Sequence, residues 1–294
     1  MAEKLYFGAP GNIQEIPYPK TGMGFGSNVD AEVTALVSGG RSVYRAPTAY
    51  KTLDMSWRTN STALQHVIDM YNGQFGPGPF YITDPTANQL NVLPARWANS
   101  WQLAHVSNGW GRPIIDSSFG WPTLADYKTA RTNQFVKFTQ AASGSTVKLE
   151  KIVRTRLIRI PGKTYYLAVS GSATGGAGIK VRGLNDGTQA WDALTTFTTF
   201  TGVPTSVLAA ASTQYSMIEL DLYLPLGATL TLKGMALGTI AYTNTETAWM
   251  PRGSGIGPVS FEQDFSGDLV STTIDRIGLS LSMTEVQTVE SVML

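Results

Sequence analysis

Apolar and polar side chains alternate along most of this chain, and one segment breaks the pattern. Leu53, Met55 and Trp57 alternate with Thr52, Asp54, Ser56 and Arg58, the period-two signature of a half-buried strand. Directly afterwards Leu64, Val67, Ile68 and Tyr71 fall at i, i+3, i+4 and i+7, which lines one face of a helix with apolar groups. Thr62 followed by Gln65 is expected to cap its start. Gly73 is expected to end it in the left-handed conformation, and Pro77 and Pro79 to prevent its continuation. Phe80, Tyr81 and Ile82 then resume as a strand, stopped by Asp84-Pro85. His66, on the helix flank, reads as a packing residue.

Elsewhere strands dominate. Val29, Ala31, Val33, Ala35 and Val37 alternate with polar neighbours before the turn Ser38-Gly39-Gly40-Arg41, which predicts a hairpin. Strands are predicted over 135–139, 147–160, 165–170, 178–183, 217–224 and 229–237, separated by turns rich in Gly, Ser, Pro and Asn. In the clearest of them Ile218, Leu220, Leu222 and Leu224 face one side, while Glu219 and Asp221 face the other, toward solvent or a ligand groove. This spacing predicts two packed antiparallel sheets, a jelly roll or related sandwich. Ile277, Leu279, Leu281 and Met283 form a last strand whose natural partner is the first block.

The expected fold is therefore mainly β: a β-rich domain with one packed helix, plus an inserted antiparallel β-sandwich. Residues 1–94 supply the first part of the first domain, 95–243 the sandwich, and 244–294 the closing part. Three successive modules are the competing arrangement, disfavoured because 244–294 alone offers too few strands to bury a core. Between Pro94 and Arg131 the periodicity loosens around Trp97, Trp101, Trp110 and Trp121, a stretch read as entry into the second domain.

Composition narrows the function classes. With 294 residues, 43% of them hydrophobic, the chain has enough apolar material for real cores. Only 15% are charged and the net charge is +1, so no general electrostatic drive toward nucleic acid exists. No cysteine is present, which excludes disulfides, thiolate nucleophiles and cysteine metal sites. The opening MAEKLYFGAPGN lacks the apolar core of a signal peptide, and no run approaches the ~20 apolar residues of a membrane-spanning helix. Synthesis in the cytoplasm is the expectation.

Catalytic chemistry has little to build on. His66 and His105 lack acidic partners nearby in sequence, and no GxSxG, HExxH or phosphate-binding glycine loop occurs. Gly22, Gly24 and Gly26 have the wrong spacing for a dinucleotide site. Glu219 with Asp221, and Glu262 with Asp264, are carboxylate pairs on one strand face, a pattern used in glycoside hydrolysis and far more often found as surface decoration. No enzyme activity, cofactor or metal is expected. Asn185-Asp186-Gly187 reads as a type I′ turn, since the further oxygen ligands of a calcium loop are missing. The basic run Lys148, Lys151, Arg154, Arg156, Arg159 and Lys163 reads as decoration of outer strand faces.

Sugar binding is the stronger alternative. Aromatic rings stack on the apolar faces of pyranoses while polar groups bond hydroxyls. Trp191, Tyr166, Tyr215 and Tyr223 with Arg182, Glu219 and Asp221 are the candidates, against the plainer possibility that these aromatics fill the core or a subunit contact.

The segments LDMSW (53–57), TALQHVIDMY (62–71), GPGPFYITDP (76–85) and GLSLSMTEV (278–286) together resemble the hub half of distal tail proteins of long-tailed, siphovirus-like bacteriophages. IPGKTYYLAVSG (160–171), GIKVRGLNDG (178–187) and YLPLGATLTLKGMAL (223–237) are similar to the carbohydrate-binding-module sandwiches such proteins carry. The resemblance implies a structural virion component of the tail tip or baseplate. It would form a homo-oligomeric ring, usually a hexamer, that joins the tail tube protein to the tip hub protein. The tape measure protein and a host surface glycan are further implied partners. The glycine- and proline-rich segment from Tyr6 to Phe25 is either an arm reaching a neighbouring subunit or a plain surface loop. A soluble carbohydrate-binding protein is the alternative from another class, and a tail-associated glycan hydrolase a third.

Overall fold

A computed structural model describes residues 5–19, 23–28, 31–35, 41–45, 50–83, 89–100, 119–120, 135–140, 154–242, 251, 253–262, 266–271 and 276–286. In chain order, β1 (Leu5–Gly8), β2 (Gln14–Ile16), β3 (Met23–Asn28), β4 (Ala31–Ala35), β5 (Arg41–Arg45) and β6 (Tyr50–Asn60) lead into helix α1 (Ser61–Tyr71). Then come β7 (Tyr81–Ile82), the short helix α2 (Ala95–Ala98), β8 (Phe119–Gly120), β9 (Val136–Gln140), β10 (Arg154–Ile158) and β11 (Tyr165–Thr174). The remaining strands are β12 (Gly178–Asn185), β13 (Ala190–Phe197), β14 (Thr205–Leu208), β15 (Tyr215–Tyr223), β16 (Thr229–Gly238), β17 (Val259–Phe261), β18 (Ser266–Ser271) and β19 (Arg276–Glu285). The fold is mainly β with one substantial helix, as the alternation predicts.

The first lobe is built on a sheet of order β17-β19-β6-β3, with β18 also on β19. The C-terminal strand does pair with the strand before the helix: Leu53 lies opposite Met283, Met55 opposite Leu281 and Trp57 opposite Leu279. All six side chains are buried. Helix α1 adds Leu64, Val67 and Met70 to the same core, while Ile68 packs at its margin and Tyr71 sets its ring edge-on to Phe261 at 5.4 Å. Burying each such aliphatic side chain is worth about 1.5–3 kcal/mol, which is what holds an eleven-residue helix that would be marginal alone.

The cap differs from expectation. Asn60, two residues before Thr62, is the N-cap, and its Oδ1 accepts from Ala63 N at 2.9 Å. Gln65 reaches forward instead, donating to Asp69 Oδ1 at 2.7 Å. Asn60 wins because the strand runs directly into the helix, leaving the first turn to begin at Ser61. At the other end Gly73 does take φ +78°, and its N–H bonds Met70 O at 3.1 Å.

The segment expected to be an arm or a surface loop is neither over its described N-terminal part. β2, β1 and β7 form a small antiparallel sheet that buries Leu5, Phe7 and Ile16 in the chain's own first core, and Trp57 Nε1 donates to Pro17 O at 2.8 Å. The β4–β5 hairpin is present, and pairs with no other described strand. Its expected turn lies outside the described residues, as do Asp84-Pro85, Trp101, Trp110, Trp121, His105, Lys148, Lys151 and Asp264.

The second lobe is a sandwich of two antiparallel sheets, β10-β15-β12-β13 and β14-β11-β16-β9-β8. Ile179, Val181, Ile218, Leu220 and Leu222 from the first sheet meet Leu167, Val169, Leu230, Leu232 and Val136 from the second. Trp97 and Leu93 belong to the same core. β13 and β14 were not predicted, and the strand expected over 147–160 is described from Arg154 to Ile158.

Among the described residues two features stand out in joining the lobes. Asn91, fully buried, donates through Nδ2 to Met235 O at 3.0 Å and Pro251 O at 2.6 Å. Its Oδ1 accepts from Leu93 N and Leu237 N, each at 3.2 Å. Where the chain crosses β16, a Cβ on Gly238 would sit 2.4 Å from Gln89 O, so only glycine permits the approach. The second feature is an apolar cluster of Tyr81, Tyr6 and Ile13 from the first lobe with Ile158, Leu184, Met217 and Trp191 from the sandwich.

Candidate functional site

The outer face of the sheet β10-β15-β12-β13 carries the sequence-predicted chemistry in ordered cross-strand rows. Arg156 lies opposite Glu219, and Glu219 opposite Arg182; Arg154 lies opposite Asp221, and Asp221 opposite Lys180. Below them the row Ile158, Met217, Leu184 and Trp191 is apolar and meets the first lobe. Alternation produces this directly, because residues two apart share a face and register sets acid beside base.

The acids do not face solvent or an open groove. Glu219 is 1% exposed and Asp221 0%, because cationic side chains from both neighbouring strands fold over them. Arg156 Nε donates to Glu219 Oε2 at 2.6 Å. Arg182 lies across both acids, 3.7 Å from Glu219 Oε1 and 3.4 Å from Asp221 Oδ2. The Asp221 oxygens accept no well-formed hydrogen bond. Burial, reinforced by the neighbouring Glu219 carboxylate, pushes the Asp221 carboxyl up to about 8, while Arg182 and Arg154 oppose the shift.

The aromatic candidates separate. Trp191 is half-buried in the inter-lobe cluster, with the Arg156 guanidinium 4.8 Å from its ring centroid. Tyr223 shares the acids' face, half-buried, and Lys180 Nζ lies 3.9 Å from its ring centroid. Tyr215 packs against the sandwich core and lies flat on Gly183, where an added Cβ would come within 2.7 Å of its ring. Tyr166 belongs to the other sheet, on β11, so it is separated from the group by the sandwich core. The structure thus brings together Trp191, Arg182, Glu219, Asp221 and Tyr223, and leaves Tyr166 and Tyr215 apart.

Arg156, Arg154 and Lys180 are the members that single-residue reasoning missed as site residues. Their signal was present as Arg154/Arg156 and Lys180/Arg182 at i, i+2, matching Glu219/Asp221 strand for strand. The basic run also differs from plain decoration at Arg159, which is 2% exposed and donates to Ala210 O at 2.8 Å and Ala209 O at 3.3 Å. The turn after Asn185 is a four-residue connection, not type I′. Gly187 N bonds Asn185 Oδ1 at 3.0 Å, Gln189 N bonds Asn185 O at 2.8 Å, and the positive φ falls on Gln189.

Among the described residues no cluster of His, Asp and Glu is arranged to hold a metal ion, and no helix is long and apolar enough to cross a membrane. The chain matches no family model and no curated protein.

Proposed function

We propose that this chain is a non-enzymatic structural subunit of a bacteriophage tail tip. In this reading it forms a ring, most simply a hexamer, joining the tail tube protein to the tip hub protein, with the tape measure protein adjacent and the sandwich displayed outward. The observation that carries the reading is the ladder between β19 and β6, which closes the first lobe across the whole intervening sandwich. That arrangement is what the resemblance to distal tail proteins implies, and the burial of Glu219 and Asp221 supports a structural role over hydrolysis. Labelling intact particles with antibody against this chain, viewed by electron microscopy, tests location and symmetry together. A signal confined to the tail tip is expected, and a purified chain that stays monomeric by native mass measurement and is absent from particles would overturn the reading.

Glycan binding by the sandwich is the accompanying proposal, and Tyr223 with Arg182 is its best-placed surface. A glycan array should then show binding that Tyr223→Ala abolishes. Silence across the array leaves the sandwich as a spacer.

A further inference from the structure

Charge is unevenly placed on this molecule. The whole chain carries a net charge of +1, yet the outer face of the sheet β10-β15-β12-β13 sets four cations against two acids, an excess of two positive charges. Glu219 and Asp221 run down the central strand β15, flanked by Arg154 and Arg156 on β10 and by Lys180 and Arg182 on β12. We propose that this face binds an anionic polysaccharide, one whose sugars carry carboxylate or phosphate groups at intervals. The inference rests on the glycan-binding reading of the sandwich and adds the chemical class of the ligand.

The buried acids arrange the cations for such a ligand. Arg156 Nε donates to Glu219 Oε2 at 2.6 Å, and Arg182 spans Glu219 and Asp221 at 3.7 Å and 3.4 Å, so both long side chains are held down along the sheet. They still reach the surface, with 14% of the Arg156 side chain and 26% of the Arg182 side chain exposed. A guanidinium presents its five N–H donors in a fixed plane, and holding it in place beforehand lowers the entropy lost on binding. Lys180 Nζ, 3.9 Å from the Tyr223 ring centroid, is steadied at the end of the face away from the first lobe. Residues two apart on a strand are separated by about 7 Å, and β10 lies two strand spacings from β12, about 10 Å, so the four cations stem from the corners of a rectangle.

A face of that size suits an extended chain better than a single small anion. The acid row between the two cationic rows selects further. Negative groups belong over β10 and β12, and the unit that crosses Glu219 and Asp221 must be uncharged. A sugar polymer with spaced acid groups meets both demands. A nucleic acid, charged at every nucleotide, would press phosphate onto the acid row, and an excess of two charges is small beside the many phosphate contacts from which its affinity is built.

The test is titration of the full chain with two matched pairs of polymers: polygalacturonate against its methyl ester, and phosphomannan against mannan. The charged member of at least one pair should bind more tightly than its neutral partner, which also tells carboxylate from phosphate. Raising salt from about 0.05 M to about 0.5 M should weaken that binding. Arg154→Gln combined with Lys180→Gln should weaken it about tenfold, whereas Tyr166→Ala, on the opposite sheet, should leave it unchanged. Should the double variant fail to fold, the matched polymers and the salt dependence decide alone. Neutral members bound as tightly as charged ones, or a single-stranded oligonucleotide bound as tightly as either, would overturn the inference and leave glycan binding standing. Silence toward all four polymers and across a glycan array would overturn both.

Discussion

Beneath α1, Leu5, Leu53, Leu64, Phe80, Val259 and Leu279 meet although they come from both ends of the chain, whereas every buried side chain of the sandwich core lies between Leu93 and Leu237. The chemistry differs too. The first core is aromatic at its centre, with Phe7, Phe80 and Phe261 in mutual ring contact at 4.9–6.1 Å, while the sandwich core is mostly leucine, valine and isoleucine. Closing a long loop costs entropy before its contacts repay it, so the sandwich is the part able to form by itself and the first lobe waits for the chain to return.

The most severe way to test that contrast is to remove residues 251–286, which withdraws β17, β18 and β19 from the first sheet. Protection from amide exchange should then be lost across β6 and α1 yet persist in β11, β12, β15 and β16; equal loss in both lobes would refute their independence. Single substitutions make a finer probe. Trp57→Ala should cost roughly 3–5 kcal/mol and Leu220→Ala roughly 2–5 kcal/mol, each buried below 3% exposure, and calorimetry should show each lowering mainly its own transition.

Asn91→Ala blurs the distinction deliberately. It leaves the carbonyls of Met235 and Pro251 and the N–H groups of Leu93 and Leu237 without their partner, so about 2–4 kcal/mol should be lost, spread over both transitions. Mild acid should act first on the lobe that holds His66. Burial lowers His66 below its ordinary value although Phe7 O, 3.0 Å from Nε2, opposes the shift. A depressed histidine favours the neutral form in the fold, so its contribution is present above the unfolded value near 6.5 and is lost as pH falls below it. The first transition should therefore weaken there by at most about 1.4 kcal/mol per pH unit, and His66→Gln should flatten that slope. Smallest is Asn60→Ala, which should cost about 1 kcal/mol through the lost cap and leave the sandwich transition unmoved.

How much of this was legible in the sequence depends on what each pattern encodes. Alternation in β6, β15 and β19 named the buried face correctly, because a strand with one packed side must place its apolar residues two apart. The return of β19 to β6 followed from the need of a lone amphipathic strand for a partner. β13 and β14 escaped notice because Ala193 to Ile218 contains no charged residue, so polar and apolar positions contrast too little to show a period. The acid pair was misread for another reason: alternation says which face a residue takes and nothing about what covers it. Only the register, which sets Arg156 and Arg182 on either side of Glu219, shows why these carboxyls are closed off. The cap was misplaced by two residues because the pattern gives no sign that strand passes into helix without a loop.

The hydrogen bonds around Asn91 have a consequence for how such a chain can change over generations. Ser254 N bonds Asn91 O at 3.2 Å and Gly255 N bonds Leu93 O at 3.1 Å, so the path into the sandwich and the path out of it run side by side. A segment whose two ends are already neighbours can be exchanged for another of different length or shape without redrawing the sheet it interrupts. The sandwich is in that sense a cassette, and the lobe beneath α1 is its socket.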